Sequence, residues 1–193
     1  MTPSVPLLNV ANRLTILRLF LVPVFVWVLV RSEIATNQSN SLRTLATVIF
    51  LLASLTDFAD GYLARRHGIE TNFGVIADPI ADKMLTGSAL VWLSLQGLVW
   101  WWVTAVILVR EVGITVLRFV VIKRGVIAAS RAGKIKTVSQ LVAISIYLMP
   151  LGDSRLLPAA IAMTVALVLT IGTGLDYIVH AYQNHKAIRN AGT

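Results

Sequence analysis

Asp57, Asp60, Asp78 and Asp82 are four of the nine acidic residues in a chain of 193. The first pair is spaced i, i+3 and the second i, i+4. On helices, each pair presents its carboxylates on one face. The connection between the pairs is short, so two antiparallel neighbouring helices are expected, with the four carboxylates converging. Four like charges in one small site do not all stay ionised without compensation. Hard divalent cations such as Mg²⁺ or Mn²⁺ compensate well, because they take oxygen ligands. Four carboxylates sharing two ions is an arrangement that recurs in phosphoryl transfer. Two other readings stand beside this one. One is a solvated acidic loop, which has no need for such spacing interleaved with Gly, Ala and Ile. The other is an ion pathway or proton relay in a transporter.

The residues around the acids are small where a ligand would approach. Gly61 and Ala64 follow Asp60, and Gly74 precedes Asp78 by one turn; small side chains leave the backbone accessible. Arg65 lies one to two turns beyond Asp60, where a guanidinium can hold a phosphate oxygen. Pro79 either opens the third helix or bends one that begins near Asn72.

The elements that must position these groups are apolar. Hydrophobic residues make up 56% of the chain, charged residues only 13%, and mean hydropathy is +0.77. A soluble domain carries roughly 25% charged residues. This composition excludes a disordered chain and argues against an ordinary soluble domain. The expected fold is an all-α integral membrane protein with six transmembrane helices, forming a single domain over residues 1–193. Apolar stretches run over residues 14–30, 42–60, 79–96, 99–121, 137–150 and 157–178. The break between the third and fourth rests on Gln96-Gly97 alone, and a single long helix is the alternative there. Pro150, Gly152 and Pro158 separate the last two. Residues 1–13 are expected to form a short amphipathic juxtamembrane helix. No small-x-small cleavage site follows the first apolar run, so it is read as a retained span.

Charge sets the expected orientation. With the N-terminus inside, the inner segments hold Arg13, Arg65, Arg66, Lys83, Lys123, Arg124, Arg131, Lys134, Lys136, Lys186 and Arg189. The outer loops hold only Arg31, Arg43 and Arg155. That asymmetry places both termini and the acid cluster on the cytoplasmic side. It also explains a net charge of +8 without a nucleic-acid partner. Arg18, Arg110 and Arg118 fall within apolar spans, where charge is costly and points to function. The chain has no cysteine, which removes disulfides, thiolate metal sites and Cys nucleophiles. His67, His180 and His185 are scattered without metal-site spacing, and Trp100-Trp101-Trp102 reads as an interfacial aromatic belt.

The run Asp57-x2-Asp60-Gly61-x2-Ala64-Arg65-x8-Gly74-x3-Asp78-x3-Asp82 resembles in full the signature of the CDP-alcohol phosphotransferase family. Asn12-Arg13-Leu14-Thr15 with Arg18 and Pro23 is similar to the family's opening segment, with Ala11 in place of the usual proline. Thr71-Asn72-Phe73-Gly74, Asp78-Pro79-Ile80-Ala81-Asp82-Lys83, Arg110-Glu111 and Gly133-Lys134-Ile135-Lys136-Thr137-x2-Gln140 resemble the bacterial branch that makes phosphatidylglycerophosphate. The resemblance implies a homodimeric six-helix protein of the bacterial inner membrane, with two divalent cations, Mg²⁺ or Mn²⁺, at a site facing the cytoplasm. It implies transfer of a phosphatidyl group from CDP-diacylglycerol to sn-glycerol 3-phosphate, with release of CMP. Asp57, Asp60 and Asp78 would ligate one metal, and Asp57, Asp78 and Asp82 the other. Asn12, Thr15, Gly61, Ala64, Arg65 and Gly74 would join the aspartates in holding the CDP-lipid, and Asp82 would act as general base.

An acceptor that carries its own phosphate needs cations apart from the metals. The resemblance assigns this to Arg110, Arg118, Arg131, Lys134 and Lys136, with Thr137 and Gln140. Arg suits bidentate phosphate binding, and Glu111 is placed to pair with either Arg110 or Arg118. For the loop residues, simple positive-inside charge is the competing explanation. Inositol phosphate or phosphatidylglycerol as acceptor, and divalent-cation transport, are the competing functions.

Overall fold

The computed structural model describes residues 10–34, 40–67, 72–122 and 131–191, with side chains at 12–34, 40–56, 74, 76–117 and 133–179. Six α-helices account for nearly all of it: α1 (Val10–Ile34), α2 (Asn40–His67), α3 (Asn72–Leu95), α4 (Trp101–Ile122), α5 (Arg131–Leu148) and α6 (Leu156–Ala191). A 3₁₀ turn, Gly152–Arg155, leads into α6. There is no strand among the described residues.

The expected break between the third and fourth spans is present, and its cause is local. Gly97 adopts φ +69°, a conformation that costs a glycine little. Its N–H reaches Ser94 O at 3.0 Å, and Leu98 N–H reaches Leu93 O at 3.0 Å. That pair of bonds caps the last carbonyls of α3 and excludes a single long helix. Gly152, at φ +61°, performs a similar reversal between α5 and α6. Pro158 lies in the first turn of α6, where an absent N–H matters least. The question left by Pro79 is also answered: α3 starts at Asn72 and the proline lies inside it. Val10–Arg13 form the first turn of α1, and residues 1–9 of the expected amphipathic segment lie outside the described residues.

The alternating helices give the bundle two ends. The start of α3 meets α1, α4 and α5 at one end, while the α3–α4 corner and the start of α6 form the other. Between them α3 packs against α1, α2, α4 and α5. Its stripe Ala77, Ala81, Leu85 and Ala89 is buried, at the i, i+4 spacing of one helix face. Alanines on that stripe let neighbouring helices come close. The rest of the core includes Phe25, Leu29, Phe50, Leu93, Ile107, Ile144 and Leu148, with the Phe25 and Phe50 rings 5.7 Å apart.

The outer surface is apolar. Phe20, Trp27, Val109, Leu157 and Val168 are all well exposed. Water opposes such a surface over a whole bundle, whereas lipid accepts it. Two described helices, Asn12–Ile34 and Gly152–Val179, are long and apolar enough to cross a membrane. The other helices are shorter or interrupted by charge, and those charges lead to the candidate site.

Candidate active site

The candidate site is built around the first turns of α3. Asp78 and Asp82 follow directly after the buried Ala77 and Ala81, so both lie at the edge of the packed stripe. Each is only half-buried. The acids can therefore reach a ligand while the helix behind them is held by the core.

On α1, Asn12, Thr15 and Arg18 are 2%, 1% and 0% exposed. They continue the inward face that becomes Val22 and Phe25. Three polar side chains buried on one face require partners. The Thr15 hydroxyl has one in Asp78, donating to Oδ1. This bond orients the carboxylate and connects α1 to α3. Gly74, one turn before Asp78, is buried.

Beyond Asp82 the site turns basic. Lys83 Nζ lies 2.7 Å from Asp82 Oδ2 and 3.1 Å from Glu111 Oε2 on α4. The other oxygen of Glu111 accepts from Lys136 Nζ on α5 and from Arg110 Nη1 at 3.2 Å. One carboxylate thus holds three cations from three helices. Arg110 is held a second time by α6, through Nη2 to Thr173 Oγ1 at 2.8 Å. Gly174 leaves space for it: a Cβ there would sit 3.2 Å from Arg110 Cγ. Gln140 is buried and donates to Thr170 Oγ1 at 3.5 Å.

The structure thus brings together Thr15, Asp78, Asp82, Arg110 and Lys136 from the sequence expectations. It does not bring in Lys134, whose side chain is exposed. The Thr137 hydroxyl is bonded to Gly133 O of its own helix. The side chains of Asp57, Asp60, Gly61, Ala64, Arg65, Arg118 and Arg131 lie outside the described residues. No group of three metal-binding acids is found among the described residues. The donor set still suits a hard cation. Asp78 and Asp82 supply oxygens one turn apart, and only residues 68–71 separate α2, which carries Asp57 and Asp60, from α3.

Sequence reasoning missed Lys83 and Thr173. Lys83 enters the sequence expectations as positive-inside charge and as the last residue of the Asp78–Lys83 run, with no role in the site. The one local signal for its role was its place directly after the last aspartate of the signature.

With this geometry in view, comparison with known proteins is decisive. Residues 8–172 match the family model described as CDP-alcohol phosphatidyltransferase. The chain belongs to that family. A probable phosphatidylglycerophosphate synthase of Mycobacterium tuberculosis is 46% identical over 185 residues, covering 96% of this chain and 87% of the relative. A CDP-diacylglycerol–glycerol-3-phosphate 3-phosphatidyltransferase of Bacillus subtilis is 35% identical over 179 residues, covering 88% and 93%. A protein of the same name from Rickettsia felis is 37% identical over 175 residues, with the same coverage. This family member is therefore a transferase, and its helices fit the membrane setting of lipid synthesis.

Proposed function

We propose that the chain transfers the phosphatidyl group of CDP-diacylglycerol to sn-glycerol 3-phosphate, forming phosphatidylglycerophosphate and CMP. The observation that carries this reading is Lys83, whose ammonium joins Asp82 to Glu111. The acidic turn of α3 and the basic cluster of α4 and α5 are thereby one side chain apart. An acceptor with a hydroxyl at one end and a phosphate near the other needs that adjacency.

In this mechanism Asp82 takes the proton from the acceptor hydroxyl. The freed oxygen forms a bond to the phosphorus that carries diacylglycerol. The bond from that phosphorus to the CMP oxygen breaks, and CMP leaves with the electron pair. Asp57, Asp60 and Asp78 would hold one divalent cation, and Asp57, Asp78 and Asp82 a second. Bound Mg²⁺ or Mn²⁺ neutralises the pyrophosphate and stabilises the leaving group. Thr15 orients Asp78, and Asn12 faces inward beside it. Gly61, Ala64, Arg65 and Gly74 complete the seat for the CDP-lipid. Arg110 and Lys136 take the acceptor phosphate, together with Arg118, Arg131 and Gln140, whereas the exposed Lys134 and the Thr137 hydroxyl held by Gly133 O stand apart from them.

The same reading makes the chain one domain of six membrane spans in the bacterial inner membrane, active as a homodimer. Both termini and the site face the cytoplasm in this reading, which the distribution of Lys and Arg supports.

The test gives purified protein CDP-diacylglycerol, Mg²⁺ or Mn²⁺ and a panel of alcohols, with CMP and lipid products followed by mass spectrometry. CMP and phosphatidylglycerophosphate with sn-glycerol 3-phosphate are expected. CMP only with inositol phosphate or phosphatidylglycerol would move the acceptor assignment. No CMP with any acceptor, together with metal flux in liposomes, would replace the enzyme by a transporter.

A further inference from the structure

Lys83 and Glu111 carry charge that phosphate binding alone does not explain. Glu111 is 7% exposed and Lys136 is 3% exposed, so the ion pair between them is withdrawn from solvent. Charges buried in this way persist only when paired. Yet among the described residues the cations outnumber their carboxylates. Lys83, Arg110 and Lys136 bring three positive charges, and Glu111 and Asp82 return two. One positive charge is left over to attract a phosphate, and Asp82 joins the cluster through Lys83.

We propose that Lys83 is a positioning residue that couples acceptor capture to the reacting carboxylate, and that Glu111 is its counterweight. This rests on the acceptor reading above. Before the acceptor arrives, Glu111 occupies the cations that will hold the phosphate. It competes with that phosphate for Lys136 and Arg110, and so weakens acceptor binding. At the same time its Oε2 anchors Lys83, which holds Asp82 through Oδ2. Removing the Glu111 charge should therefore act in opposite directions. The phosphate meets a more positive pocket, whereas Asp82 loses the second anchor of the lysine that holds it. A purely structural carboxylate would give no such split, because its loss would impair both parameters or neither.

The experiment measures kcat and KM for the acceptor, and KM for CDP-diacylglycerol, in Glu111→Gln, Glu111→Asp, Lys83→Gln and Lys83→Arg. Assays use sn-glycerol 3-phosphate, or whichever phosphate-bearing acceptor the wild type turns over. Glu111→Gln should lower acceptor KM several-fold and lower kcat about tenfold, since small misplacement of a reacting group has large rate effects. Lys83→Gln should lower kcat by a similar factor and raise acceptor KM. The KM for CDP-diacylglycerol should stay near wild type in both, which shows that the fold is intact. Glu111→Asp keeps the charge and should restore acceptor KM to the wild-type range, and Lys83→Arg should recover part of kcat. A rise in acceptor KM in Glu111→Gln, or unchanged kcat in Lys83→Gln, overturns the proposal. If Glu111→Gln does not fold, Lys83→Gln and Lys83→Arg decide it alone. Wild-type protein that releases CMP only with acceptors lacking a phosphate would defeat the acceptor reading itself. The two failures are therefore distinct.

Discussion

The two ends of the bundle use buried cations differently. At the α3–α4 corner end, Arg155 is buried and satisfied by backbone: Nε donates to Tyr147 O at 3.1 Å and Nη1 to Gly152 O at 2.7 Å. Arg43 shares the Tyr147 carbonyl at 3.4 Å and lies 5.8 Å from the centre of the Trp92 ring. These contacts close loops onto helix ends. At the other end, three cations converge on one side-chain carboxylate and outnumber it. An arginine buried against backbone carbonyls holds a fold, because its donors are aimed at the chain rather than at a ligand. Side-chain cations in excess over their carboxylates are instead suited to an anionic ligand.

That contrast can be broken or sharpened experimentally. The largest effect is expected at the edge of the charged end. Asp82→Asn should lower turnover by about a hundredfold or more, the range for loss of a general base, while CDP-diacylglycerol binding persists. Normal CMP release by this variant would remove Asp82 from the chemistry. Next, Lys136→Gln should raise acceptor KM by about tenfold, in line with the roughly 1.5–3 kcal/mol of a charged hydrogen bond. An unchanged KM would show that Lys136 serves only Glu111. At the opposite end, Arg155→Ala should leave kcat and both KM values intact in the folded protein. It should instead lower thermal stability in detergent by about 1–3 kcal/mol, the cost of stranded buried acceptors. A selective loss of activity there would erase the distinction between the ends. The smallest effect is expected from Gly174→Ala. Its Cβ would meet Arg110 Cγ at 3.2 Å, and a small displacement of that flexible side chain should raise acceptor KM a few-fold without changing stability.

Much of the fold was legible because its signals are local. Six apolar stretches anticipated six helices, and Gln96-Gly97 anticipated the α3–α4 break, which Gly97 makes with its positive φ. Most of the helices are longer than the stretches: α1 begins at Val10 and α2 runs to His67, past the apolar positions. Polar residues continue a helix when its end meets other helices or the interface rather than lipid. Pro79 was ambiguous, since proline is tolerated at a helix start and also within a helix whose neighbours support it. In the candidate site, the spacing of Asp78 and Asp82 was readable because one turn of helix dictates it. Of the partners of Glu111, only Arg110 was. Arg110 and Arg118 were its nearest candidates in sequence, yet two of its three cations come from other helices.

The sequence by itself determined the helical elements, their apolar surfaces and the spacing of the acids along each helix. These follow from hydrophobicity, turn chemistry and a period of 3.6 residues, which act over a few positions. Only the tertiary structure decided that Lys83, Arg110 and Lys136 share Glu111, and that Thr15 holds Asp78 across 63 positions of chain. Such pairings depend on how helices rotate and pack against one another. That packing is set by side chains such as Ala81, Ala89 and Gly174 at the contacts, and no local period records it.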